Sequence, residues 1–455
     1  MLPVTIFLSA FLLFQVQPMM GRYILPWFGG TPAVWSVCLL FFQCILLAGY
    51  GYAHWVGSLA SKKMQTTIHV SLLVASLILL PVGPDAAKWK PTGADYPEWR
   101  IMLLLLATVG GPYFLLSSTT PLLQRWHTLG QSRGAGWRLY ALSNFGSFLA
   151  LFSYPFLLEP YARLQTQSWI WSGLYVGFVA ICGVTAWRVR GTVAIEEAAE
   201  PEVEEQLEWW RYPFWLVLAA TASTLLLATT NLITQDIAVA PFLWILPLSI
   251  YLFSFILTFE SDRWYWRMPY AVLCGILAPV AAAATGAGVL FPLWVELLIY
   301  LGALFAACMV CHGELARSRP PKRFLTSFYL TVSAGGVIGG VFVALLAPQI
   351  FKQFTEYPLA LTGACVLGLT GWFLSGAFRQ WTGRNFAIRI PLMALLFGSF
   401  GAASLAVLPG LGAAAQDVVR NFFGILWVRD RTDEAGKYRQ LTHGRIKHGS
   451  QYLSG

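Results

Sequence analysis

The sequence predicts an all-α polytopic membrane protein of about 13 transmembrane helices. These form two six-helix halves and one additional helix, followed by a short C-terminal β-hairpin segment. Three observations carry this reading. Of the 455 residues, 57% are hydrophobic and only 11% charged, with a mean hydropathy of +0.62. A soluble domain carries roughly a quarter charged residues. Apolar runs recur from the first residues to about Pro409, and about 20 apolar residues cross the hydrocarbon core as a helix. After Leu411 the chain changes to alternating apolar and polar residues. Helices are implied for the apolar part because backbone groups in lipid are satisfied within the segment. The two-residue alternation of a barrel strand is absent there.

In order, the expected spans are 2–20, 33–56, 65–83, 101–120, 137–158 and 167–187 for the first half. The second half has 213–234, 237–259, 268–288, 290–311, 324–347 and 357–376, and 386–409 is the additional helix. The start, MLPVTIFLSAFLLFQVQPMM, has no basic leader and no clear cleavage site, so the first helix is expected to be retained. The domain boundaries follow: 1–190, an acidic linker at 191–212, 213–376, 377–410 and 411–455. The linker holds Glu196, Glu197, Glu200, Glu202, Glu204, Glu205 and Glu208 and reads as solvated. In the tail, Asn421–Arg429 and Tyr438–His443 read as two strands around a turn at Asp433–Gly436. Two strands are marginal alone, so the tail is expected to be the start of a β domain, incomplete here.

Charge sets the orientation. With the N-terminus in the cytoplasm, the inner loops hold Lys62, Lys63, Arg125, Arg133, Arg138, Arg188, Arg190 and Arg211. They also hold Arg263, Arg267, Arg317, Arg319, Lys322, Arg323, Arg379, Arg384 and Arg389. The outer loops hold only Arg22, Lys88, Lys90, Arg100, Arg163 and Lys352. This bias predicts a cytoplasmic N-terminus and accounts for the net charge of +9 without nucleic acid as a partner. Thirteen spans then put the tail outside. The seven cysteines all lie in apolar runs and read as buried thiols. Trp55, Trp99, Trp137, Trp209, Trp210, Trp264, Tyr265 and Trp266 cluster near span ends, as an interfacial belt does.

Few residues carry chemistry. Cys308-x-x-Cys311-His312 has haem-attachment spacing, but it ends an apolar helix on the cytoplasmic side. It therefore reads as a packed helix end, with His312 and Glu314 capping it or pairing with loop arginines. No metal, cofactor or catalytic residue is expected. His69 and Glu296 are the main charges within spans, and Asp236 sits near the outer mouth. His443 and His448, with Arg445 and Lys447, have no ligand-specific spacing. Gln15, Gln17, Asn144 and Asn231 are amides inside spans, readable as interhelical glue or as the polar lining of a central cavity. A weak repeat at an offset of 189 aligns Tyr140 with Tyr329, Asn144 with Ser333, Gly146 with Gly335 and Ala150 with Gly339. Both helices thus carry a face of small residues that lets backbones approach closely. Two halves related by parallel repeats are the architecture of major-facilitator transporters. Where those carry Gly-x-x-x-Asp-Arg, this chain has Gly57 followed by Ser61, Lys62 and Lys63, without the Asp.

Six stretches together resemble a family of bacterial membrane proteins in which a major-facilitator-like bundle is fused to a C-terminal spermidine synthase-like domain. They are FQVQPMMGRYILPWFGGTPAVW at 14–35, ATTNLITQDIAVAPFLWILPLSIYLFSFIL at 228–257 and CHGELARSRP at 311–320. The others are FYLTVSAGGVIGGVF at 328–342, RNFFGILWV at 420–428 and LTHGRIKHGSQ at 441–451. The resemblance implies a multi-pass protein of the bacterial inner membrane. Its bundle would anchor, or supply a small amine or nucleoside ligand to, a synthase-like domain. The nucleoside loop and catalytic Asp of such a domain do not occur in this sequence. The chain alone is therefore expected to lack aminopropyltransferase activity and to need a separately encoded synthase-like domain. The resemblance offers Gln451 as a nucleoside contact. Two alternatives stand beside it: a stand-alone major-facilitator-type transporter of small molecules, and a structural subunit recruiting a soluble partner.

Overall fold

The computed structural model describes residues 1–59, 61–91, 93, 96–128, 135–190, 207–236, 241–286, 291–321, 324–375, 417–434, 436–443 and 446–453. The expected helix at 386–409 and most of the acidic linker lie outside these residues. Among the described residues ten helices are long and apolar enough to cross a membrane, and Leu142–Leu158 is a shorter apolar helix. The chain divides into two compact units.

The first unit contains Met1–Gly30, Val37–Pro213 and Pro320–Ser333. Its helices are α1 (Leu2–Phe28), most of α2 (Pro32–Ser58), α3 (Lys62–Ser76), the short α4 (Ala86–Trp89) and α5 (Pro97–Leu105). They continue with α6 (Gly111–Thr128), α7 (Ala135–Ser153) and α8 (Leu164–Arg190). α1 packs against α6, α7 and α8 and is buried on several faces. Its polar groups are tied to those neighbours. Ser9 Oγ donates to the Leu116 carbonyl at 2.8 Å, and Trp171 Nε1 donates to the Leu12 carbonyl at 3.0 Å. α7 can lie close to α1 because Gly146 has no side chain; a Cβ there would sit 2.8 Å from the Phe7 carbonyl oxygen.

Two expected spans end elsewhere. The first does not stop at residue 20 but runs to Phe28, where Gly29 takes a left-handed φ of 100° and closes the helix. That conformation costs glycine nothing. The span at 65–83 is shorter, ending with α3 and one 3-10 turn, Leu77–Leu79. Pro81 has no amide hydrogen and pushes Leu80 into an extended conformation, which stops the helix.

The second unit contains Thr31–Ser36, Phe214–Arg319 and Ala334–Gly455. It holds most of α9 (Arg211–Asp236), α10 (Pro241–Glu260), α11 (Arg267–Gly286) and α12 (Leu293–Arg317). The C-terminal part of α13 (Leu325–Val341), α14 (Ala347–Ile350) and α15 (Glu356–Leu374) complete its helices. α12 contacts α10, α11 and α15. α13 rests on α9 through Gly335 and Gly339, and Ser223 Oγ donates to the Gly336 carbonyl at 2.9 Å. The two aligned glycine helices also end alike: α7 passes into a wide π turn at Tyr154–Leu158 and α13 into one at Phe342–Leu346. The weak repeat in the sequence is thus a repeat of structure, α7 on α1 and α13 on α9.

The strands of the tail are β1 (Asp417–Asn421), β2 (Gly424–Asp433), β3 (Gly436–His443) and β4 (Ile446–Tyr452). The expected hairpin is present as β2 and β3, with its turn at Asp433–Gly436, and two further strands extend it into a four-stranded antiparallel meander. The expected first strand, Asn421–Arg429, contains a tight turn. Asn421 Oδ1 accepts the Phe423 amide at 2.9 Å, and Gly424 takes a φ of 134°. Phe423 therefore sits in the turn between β1 and β2 and not within a strand. Asn turning on its own backbone and Gly at positive φ are turn signals that the apolar alternation hid.

Candidate functional site

Two buried ion pairs of the second unit sit at the two ends of α15. At its C-terminal end, Arg267 of α11 makes a forked pair with Glu314 of α12. Nε donates to Oε1 at 2.7 Å and Nη2 donates to Oε2 at 2.6 Å. Tyr265 Oη donates to Glu314 Oε1 at 2.9 Å. Arg267 Nη1 also donates to Ser375 Oγ just past α15, at 2.5 Å. The expected helix end at 311 is corrected here. α12 continues to Arg317, and Cys308, Cys311, His312 and Glu314 are all buried. A carboxylate can enter the packed interior because a guanidinium fork meets it. His312 Nδ1 and Ser254 Oγ lie 2.9 Å apart.

At the other end, Glu356 opens α15 with its side chain fully buried, and Arg420 of β1 pairs with it. Nη2 donates to Oε1 at 2.6 Å, Nη1 to Oε2 at 3.0 Å and to the Gln353 carbonyl at 2.6 Å. The guanidinium lies 4.8 Å from the Phe354 ring centroid. This pair fastens the sheet to the helices. Arg267 and Arg420 thus mark opposite ends of a helix that is about 28 Å long at 1.5 Å per residue.

Beside the Arg420 pair is a narrow cleft. Its walls are Ser36 of α2, Asn231 and Gln235 of α9, Val343 and Ala344 of the π turn, Pro348 and Phe354. Arg420, Asn421, Phe422 and Gly424 of the β1–β2 turn complete it. Ser36 Oγ donates to Asn231 Oδ1 at 2.7 Å, and both residues are buried. Gln235, one turn after Asn231, has its Oε1 buried with no partner among the described residues. Trp35 and Trp244, whose rings stack at 5.4 Å, have indole Nε1 groups in the same condition. Buried polar atoms are satisfied in nearly all proteins, so such a concentration points to a ligand or water.

The sequence-derived candidates fall in separate places. Asn231 lines the cleft. Gln17 of α1 donates to Tyr113 Oη at 3.1 Å, and Gln15 is buried two residues earlier. At 3.6 residues per turn those two lie on opposite sides of α1. Asn144 is half-buried on α7. Gln451 is exposed on β4, opposite Arg439 in register, away from the β1–β2 turn that lines the cleft. His69 is buried, its Nε2 3.1 Å from Thr119 Oγ1. Glu296 is buried in the first turn of α12. The rings of His443 and His448 lie 5.9 Å apart. On the sheet, the Arg439 guanidinium hydrogen-bonded to Asp430 holds that carboxyl below its usual range. Sequence reasoning missed Ser36, Gln235, Glu356 and the Arg420 turn as site residues.

No protein-family model matches the sequence, and a search of characterised proteins finds no match either. The likenesses are structural. A D-xylose-proton symporter superposes with a TM-score of 0.51 at 13% identity, over 81% of this chain and 96% of that chain. A peptide transporter in complex with sulfate gives 0.50 at 14% identity, over 83% and 94%. A nucleoside transporter gives 0.48 at 14% identity, over 82% and 99%. At these identities the likeness is one of fold: this chain is a multi-pass membrane protein with a major-facilitator-type bundle and a small antiparallel sheet after it.

Proposed function

We propose that the protein is a major-facilitator-type transporter of a small molecule, and that Asn231 belongs to its substrate path. The observation that carries this is the buried Ser36–Asn231 pair, lining a cleft among apolar helices next to the Gln235 oxygen, which has no partner among the described residues. The likeness of fold to the symporter supports it. Glue between helices needs each polar atom paired; a binding path leaves some for the ligand. The test is flux in proteoliposomes made from the full chain, with radiolabelled D-xylose, uridine and spermidine as separate probes. Flux of at least one probe is expected, and Asn231→Ala lowers it at least tenfold. No flux of any probe, or flux indifferent to Asn231→Ala, overturns the proposal.

A second reading keeps the bundle as the anchor of, or substrate supplier to, a spermidine synthase-like domain carried elsewhere. The sheet favours it, because RNFFGILWV and LTHGRIKHGSQ form its β1–β2 and β3–β4 portions. The place of the sheet counts against it. β1 docks at the end of α15 away from Arg267, and Arg263, Arg267, Arg317 and Arg319 form a basic end of the unit. Basic ends face the cytoplasm. Alkaline phosphatase fused after Gly455 is therefore expected to be active and green fluorescent protein fused there to be dark. The reverse pattern puts the sheet with the cytoplasmic nucleosides and favours the synthase reading.

A further inference from the structure

We infer that the C-terminal sheet is a wall of the ligand cleft rather than an appendage, and that the cleft takes a small uncharged polar solute. For the identity of that solute as cargo this rests on the transporter reading; the wall itself does not. Asn421 and Phe422 of the β1–β2 turn line the same cleft as Ser36, Asn231 and Gln235. The turn is held in place from behind by the Arg420–Glu356 fork and the Gln353 carbonyl. With the side chains of Arg420 4% and Glu356 0% exposed, the fork is a fixed anchor and not a surface contact.

The chemistry of the lining sets the ligand class. The groups offered are a serine hydroxyl, the amides of Asn231, Gln235 and Asn421, and the Phe354 and Phe422 rings. The one cation among the described lining residues, Arg420, is neutralised by Glu356 at 2.6 Å. An ammonium or a carboxylate entering the cleft would lose its water and find no free counter-charge among the described residues that line it, which is costly. A polyamine is therefore a poor occupant of this cleft. A neutral solute with hydroxyl or amide groups can donate to the Gln235 oxygen, which has no partner among the described residues. As it stands, the cleft has room only for water-sized molecules, so a larger solute enters only when a wall moves. The β1–β2 turn is a wall that is not part of a membrane helix, and it is the one contributed by the sheet.

The experiment uses the full chain in nanodiscs with Gln235→Cys, and reads reaction rates by intact mass. The probes are methyl methanethiosulfonate, which is neutral, and the sulfonatoethyl and trimethylammonium-ethyl methanethiosulfonates, which are anionic and cationic. Ser450→Cys, exposed on β4, supplies the reference rate for each probe. Relative to it, the neutral probe is expected to react at least tenfold faster than either charged one. Phe422→Ala, which leaves the fork intact, and Glu356→Gln, which breaks it, are each expected to raise the neutral rate at least tenfold. Phe422→Ala alone decides if Glu356→Gln fails to give monodisperse protein. Rates unchanged by Phe422→Ala overturn the wall, and equal or faster reaction of a charged probe overturns the ligand class. The expected rates in a chain without flux support the wall and overturn only the transporter reading.

Discussion

Gly335→Ala and Gly339→Ala are each expected to lower the thermal stability of the full chain in detergent, while Gly336→Ala is expected to leave it unchanged or raise it. A Cβ at Gly335 would meet the Leu216 carbonyl oxygen, with Ala219 Cβ at 2.8 Å and the Ala220 nitrogen at 3.1 Å. A Cβ at Gly339 would meet the Ala220 carbonyl oxygen, with Ser223 Cβ and the Thr224 nitrogen both at 2.9 Å. These neighbours are mostly backbone and cannot swing aside, so α13 has to move off α9. Overpacking of this kind costs about 1–3 kcal/mol. Gly336 has nothing within 4 Å, so there alanine brings only its better helix propensity, up to about 1 kcal/mol. The measurement is the unfolding midpoint, with monodispersity followed by size-exclusion chromatography. Equal midpoints for all three variants would show that the glycine face is not a contact.

The same glycines explain why much of the fold was readable. Length and apolarity announce a span, and a face of small residues announces a close neighbour, because both are local properties of a sequence. Which neighbour it is remains hidden: Gly146 meets Phe7 and Gly335 meets Leu216, contacts that no offset within α7 or α13 encodes. The tail was readable only in part. Alternation found β2 and β3, but Phe423 sits in the turn that Asn421 and Gly424 build, and β4 carries too few apolar residues to stand out.

The site was harder to see for a physical reason. Asn231 stood out as an amide in lipid, since a polar group there needs an explanation by itself. Ser36 and Gln235 look ordinary at span ends, and become site residues only through a cleft assembled from α2, α9, the π turn after α13, α14 and the sheet. Arg420 and Glu356 are 64 residues apart in sequence. Each reads as an ordinary charge near a membrane surface, and their mutual burial is what changes their meaning. Among the described residues the second unit holds two buried acid–base pairs, Arg420–Glu356 and Arg267–Glu314.

The Arg267–Glu314 pair carries the other large expected effect. Arg267→Met or Glu314→Leu alone is expected to destabilise the protein by about 3–5 kcal/mol, because each leaves its partner as an uncompensated buried charge. The side chains of Arg267 and Glu314 are 14% and 2% exposed, so water compensates little of that loss. Glu314→Leu also strips the Tyr265 hydroxyl of its acceptor, and Arg267→Met also unties Ser375. The double variant removes both charges at once and is expected to recover most of the loss, since apolar groups of similar size pack where the fork was. Arg267→Lys keeps the charge but cannot donate two parallel bonds, so it falls between the wild type and Arg267→Met. A double-mutant cycle on unfolding free energies in mixed micelles reads the coupling directly. Losses that simply add in the double variant would mean the two side chains do not depend on each other, and that α11, α12 and the end of α15 are held by packing alone.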